Sequence, residues 1–228
     1  MIIHLPFYKA TMLTITGVFL FTCVDVFIKL LSPSFQVGQV LIVFGLGTAV
    51  MFWAMALLSG QSVFDKRYIH KATLFRCISE TIGGLALVFA LSNSALSVVT
   101  AIMQTSPLVL TVMAVDFLKE RIGPPRIIAI FIGFIGVLIV IRPTLEGVDV
   151  FAVSALIGVI GLAGRDFSAR ILPNDISVIG LSFFGSLSVA LAGVLLMVFS
   201  EGWVLPDIMQ MMYCAGMIIA GGFGLWCM

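Results

Sequence analysis

The sequence predicts an all-α polytopic membrane protein, and three observations carry that expectation. Of 228 residues, 61% are apolar and only 10% are charged, against roughly 45–50% and 25% in soluble domains. A soluble chain could not cover itself with so little polar surface. The apolar residues gather in eight runs of about 17 to 24 residues, the length that crosses a hydrocarbon core. The runs are continuous and do not alternate with period two, which excludes a β-barrel. The net charge of +1, from 12 Lys and Arg against 11 Asp and Glu, excludes a nucleic-acid binder, which needs a basic excess.

The expected spans are 10–31, 37–58, 72–91, 96–118, 125–141, 151–171, 176–199 and 208–228. The first carries Asp25 and Lys29 near its end and has no small-residue cleavage site, so it is not a signal peptide. The second has no charge. The third holds Arg76 and Glu80, and the fourth is interrupted by Gln104, Thr105, Ser106 and Pro107. The fifth contains Gly133 and Gly136. The sixth holds Arg165, Asp166 and Arg170; the last two are uncharged. Short connections make consecutive spans antiparallel. Lys9, Lys66, Arg67, Lys71, Lys119, Arg121, Arg126 and Arg170 then fall on one side, with Arg142 alone opposite. That bias places the N-terminus in the cytoplasm of a multi-pass protein of the inner (plasma) membrane. Cys23, Cys77, Cys214 and Cys227 sit in apolar runs without metal-ligand spacing, so neither a metal site nor a cofactor is expected.

An internal repeat runs through these spans. Gly17, Asp25 and Lys29 map onto Gly158, Asp166 and Arg170 at a constant offset of 141. Leu41, Phe44 and Gly45 map onto Leu181, Phe184 and Gly185 at 140, and Gly83-Gly84 onto Gly221-Gly222 at 138. The unit is five spans, an odd number, so its copies enter the membrane with opposite orientation. Met228 matches Ala90, so two further spans, roughly 50 residues, are expected by the same arithmetic, for about ten in all.

Residues 95–143 read ALSVVTAIMQTSPLVLTVMAVDFLKERIGPPRIIAIFIGFIGVLIVIRP. Pro107 in mid-span, Glu120 thirteen residues on, a basic loop, a glycine-bearing helix and a closing Arg142-Pro143 follow in order. This text resembles the EamA domain of the drug/metabolite transporter superfamily. The resemblance implies ten spans in two inverted five-span repeats, with 10–143 as the first EamA repeat and 151–228 as a partial second one. Many relatives carry an Arg in span 2, where this chain has none. The function implied is secondary transport of a small metabolite or drug by alternating access. The alternative is a truncated, non-transporting remnant, or a half-transporter that needs a partner chain.

Ionisable groups within spans are costly and mark pathways or pair with each other. Asp25 with Lys29, and Asp166 with Arg170, share a helix face at i,i+4. Inverted symmetry would put the first pair near the outer mouth and the second near the inner one, as gates. The alternative is local pairing, with the bases reaching to the interface. Arg76 and Glu80 repeat the spacing in span 3. Glu80, the deepest carboxylate, is the candidate for proton coupling or for contact with a substrate amine; a structural salt bridge is the alternative. Pro107 removes a helix hydrogen bond near Met103, so residues 104–107 are expected to line a binding cavity or simply to kink the helix. No HExxH, GxSxG or P-loop is present, so an enzyme is not expected. The expected partners are the lipid bilayer, a small-molecule substrate and a proton as coupling ion, with no nucleic acid; a homodimer is compatible with the sequence.

Overall fold

The computed structural model describes residues 7–119, 123–141, 149–171, 176–200 and 202–227. Glu120, Arg121, Arg142, Pro143 and Met228 lie outside the described residues. Among those described the chain is all-helical, with α1 (Phe7–Leu31), α2 (Val37–Leu58), α3 (Lys71–Asn93), α4 (Leu96–Met103), α5 (Ser106–Leu118), α6 (Pro124–Ile141), α7 (Val150–Arg170), α8 (Val178–Val198) and α9 (Ile208–Cys227). The boundaries carry local signals. His70 Nδ1 accepts from the Ala72 amide at 3.1 Å and starts α3, and Asp149 Oδ1 accepts from the Phe151 amide at 3.0 Å and starts α7. Lys119, at φ 54°, ends α5 in the left-handed region.

Seven stretches are long and apolar enough to cross a membrane, with Leu96–Leu118 counted as one. The eighth expected span is α6, of 18 residues, about 27 Å at the helical rise. The direction of the neighbouring helices shows that it crosses. Ser79 meets Gly164, Gly83 meets Gly161 and Leu87 meets Gly158, so α7 runs antiparallel to α3. The Leu96–Leu118 stretch accounts for one return between them, and α6 must supply the second. Its surface is bare: Ile128, Phe131, Ile132, Ile135 and Ile139 are exposed, which in a membrane is contact with lipid.

The interior is built by three principal pairings, α3 on α7, α2 on α8 and α1 on α9, joined by α3 on α8 and α2 on α9. Small residues let the backbones approach. A Cβ on Gly45 would lie 2.6 Å from the Ala190 nitrogen, and one on Gly161 would lie 2.5 Å from the Gly83 Cα. Around these crossings Leu31, Val40, Leu41, Leu91, Ile102, Val159 and Met217 form the core.

Span 4 departs from a simple kink. The chain leaves α4 at Met103, turns at Gln104 and Thr105, and restarts as α5 with Pro107 in its first turn. Proline is favoured there, because its missing N–H would be unpaired anyway.

Candidate functional site

A layer of buried charge lies where α3, α7 and α8 meet. Arg76 and Glu80 face inward from α3 and are each only 5% exposed. The Arg76 Nε approaches Glu80 Oε2 at 3.3 Å, and Arg76 Nη2 donates to Ser182 Oγ on α8 at 3.2 Å. The space for them comes from Gly185, where any Cβ would run into the Glu80 carboxylate. Among the described residues Arg76 Nε and Glu80 Oε2, though paired as ions, and Ser186 Oγ have no hydrogen-bond partner. Buried polar atoms are almost always satisfied, so this layer keeps unused capacity to accept or donate. Next to Glu80 on α3, Thr81 Oγ1 bonds Ser188 Oγ at 3.0 Å.

A second charge pair sits on α7. Arg165 Nε and Nη2 both reach Asp166 Oδ1 at 2.9 Å, and the guanidinium lies 5.3 Å over the ring of Phe21 on α1. The sequence suggested Asp166 with Arg170. The structure instead pairs Asp166 with its chain neighbour, because Arg165 is buried and Arg170 is exposed. A buried cation without a counter-ion costs far more than a solvated one.

The Asp25–Lys29 pairing is also replaced. Lys29 Nζ donates to the Leu91 carbonyl at 2.9 Å and to that of Ser94 at 2.8 Å. These lie at the C-terminus of α3, where the helix presents unpaired carbonyls and partial negative charge. Asp25 makes neither hydrogen bond nor ion pair among the described residues.

The broken span supplies a different kind of feature. Thr105 is buried, and its Oγ1 bonds the Ile102 carbonyl at 2.6 Å; Gln104 and Pro107 are exposed. Both α4 and α5 pack on α7, with Phe117 stacked on Phe167 at 5.6 Å. The break therefore stands beside the helix of Arg165, and the Arg76–Glu80 pair belongs to a different interface. A cleft of about 600 Å³ opens among Ile82, Phe89, Ile157 and Leu196. Its lining holds none of these charges. Among the described residues no three His, Cys, Asp or Glu side chains gather as a metal site.

The EamA-like transporter family matches residues 8–142, more than half of the chain. The chain belongs to the EamA-like transporter family. A riboflavin transporter of Brucella anthropi is 31% identical over 85 residues, which cover 37% of this chain and 30% of that protein. The matched stretch is thus under a third of that relative's length. No solved structure matches the chain. In this member of the EamA-like transporter family the match covers α1 to α6. The charge layer joins α3, inside the match, to α7 and α8, beyond it.

Sequence reasoning passed over Ser182, Phe21 and the Arg165–Asp166 contact. Two signals were available. Arg165 is a basic residue inside a span, and Ser182 and Ser186 repeat a small polar residue at i,i+4 on α8. Neither signal names a partner.

Proposed function

We propose that this membrane transporter is a secondary transporter. It moves a small metabolite or drug by alternating access across the inner membrane, with its N-terminus in the cytoplasm. The observation that carries the reading is the incompletely satisfied charge layer of Arg76, Glu80, Ser182 and Ser186, buried among spans where charge is otherwise avoided. Glu80 is its proton-coupling or amine-contact residue. Gln104, Thr105, Ser106 and Pro107 form the broken-helix element that packs on α7. The relative's name makes a riboflavin-like heteroaromatic solute the first substrate to try.

The helix pairings support an inverted second unit in 151–228. Exchanging α1 with α7, α2 with α8 and α3 with α9 turns α3/α7 into α9/α1, α3/α8 into α9/α2, and α2/α8 into itself. All of these pairings occur. The same exchange supports a second reading, a half-transporter needing a partner chain. The α4 and α5 helices cover α7, where Phe117 meets Phe167, but Val26, the counterpart of Phe167 on α1 at the offset of 141, is exposed.

The test is uptake of riboflavin and of a metabolite panel by proteoliposomes under an imposed proton gradient, with Glu80→Gln beside the wild type. Gradient-dependent uptake that is lost in the variant is the expected result. Uptake only in the presence of a co-purified second chain assigns the half-transporter form. No flux in either arrangement overturns the transport reading.

A further inference from the structure

Three cations within the described spans are each committed to a partner. Lys29 holds the carbonyls of Leu91 and Ser94, Arg76 holds Glu80 and Ser182, and Arg165 holds Asp166. Two carboxylates have no hydrogen bond or ion pair among the described residues: Asp116, exposed near the end of α5, and Asp25, only part-exposed within α1. Asp25 lies six residues before the end of α1, about 9 Å along the helix, inside the hydrocarbon depth. An ionised carboxylate at that depth is costly without a positive charge beside it.

The surroundings supply no such charge. On α1 itself, Lys29 is one turn on but turned to α3, and Cys23 is uncharged. The α9 helix carries the titratable groups Tyr213, whose ring meets Phe27 at 6.2 Å, Cys214 and Cys227, none of them a cation. The α4 helix carries none. Those of α3, namely Lys71, Arg76, Cys77 and Glu80, all lie in its N-terminal half, whereas α1 meets α3 at Leu91 and Ser94. On α7, Arg165 reaches Phe21, one turn from Asp25, but both of its contacts to an acid go to Asp166; Arg170 is exposed at the helix end.

We propose that Asp25 is a binding site for a monovalent cation, the single positive charge common to a proton, an alkali ion and an organic ammonium group. Its role as coupling or substrate site rests on the transport reading; its cation chemistry does not. The site differs from Glu80, which has the Arg76 guanidinium 3.3 Å away.

The experiment is dicyclohexylcarbodiimide labelling of the wild-type chain in liposomes, with the adduct located by peptide mass spectrometry. The reagent couples to protonated carboxyls in apolar surroundings. An adduct on Asp25 is expected at mildly acidic pH and is absent in Asp25→Asn. It should fall several-fold at alkaline pH, or on adding sodium chloride or tetraethylammonium chloride at fixed pH. A fall with pH alone assigns a proton. Protection by sodium assigns an alkali ion, and protection by tetraethylammonium assigns an organic cation. Lys29→Gln should keep the same dependence, because Lys29 is bound elsewhere. No adduct at any pH, an adduct indifferent to pH and to both salts, or one that emerges only in Lys29→Gln overturns the proposal. Failed uptake with intact labelling would sink the transport reading and leave the cation site standing.

Discussion

Arg165 and Asp166 are consecutive residues of α7 whose side chains close on each other, both guanidinium contacts being 2.9 Å from one carboxylate oxygen. The pairing neutralises a buried cation within a single helix, while Phe21 covers the guanidinium from α1. Among the described residues Arg170 makes no ion pair.

Asp166→Asn is therefore expected to destabilise the fold and Arg170→Gln is not. Removing one partner of a fully buried pair costs about 3–5 kcal/mol. The Asp166 side chain is 32% exposed, which lowers the expected loss to about 2–3 kcal/mol. The Arg170 change should stay within about 0.5 kcal/mol. Unfolding midpoints in detergent would compare the two; equal effects would mean that Asp166 pairs with Arg170 in solution.

The α3–α7 crossing makes a second prediction. A Cβ at Gly161 would stand 2.5 Å from both the Cα and the nitrogen of Gly83, and backbone cannot step aside as a side chain can. Gly161→Ala is expected to cost about 1–3 kcal/mol through overpacking. A Cβ at Gly136, on α6, would meet nothing within 4 Å. Gly136→Ala should be neutral, or stabilise by about 0.5–1 kcal/mol, because alanine loses less freedom in a helix. Thermal melts that rank the two variants the other way round would remove the crossing from the structure.

Orientation provides the third. The helix directions put the exposed residues Ser34 and Leu205 on one face of the membrane and Ser62 and Ile69 on the other. The basic residues gather on the second face, which should be cytoplasmic. Single cysteines in a background lacking the four native ones should react with an impermeant maleimide from outside at 34 and 205, and only after permeabilisation at 62 and 69. The reverse pattern would invert the topology.

Much of the fold was legible in the chain itself. A crossing helix is a one-dimensional property, a sufficient length of apolar residues. Hydropathy therefore located the seven long spans and α6. The break at Pro107 was legible for a similar reason, since a missing N–H acts on its own helix. What the spacing could not tell was which charge meets which. An i,i+4 interval places two residues on one face, but says nothing of competitors brought in from elsewhere. Lys29 found carbonyl oxygens 62 and 65 residues away, at a helix end that only packing of α1 on α3 brings within reach. Asp166 turned to Arg165 because burial, a property of the assembled bundle, made that cation the more costly one to leave alone. Composition and periodicity determined that this chain lives in a membrane and where it crosses. Tertiary structure decided the partners of its charges, and through them that Asp25 was left without one among the described residues.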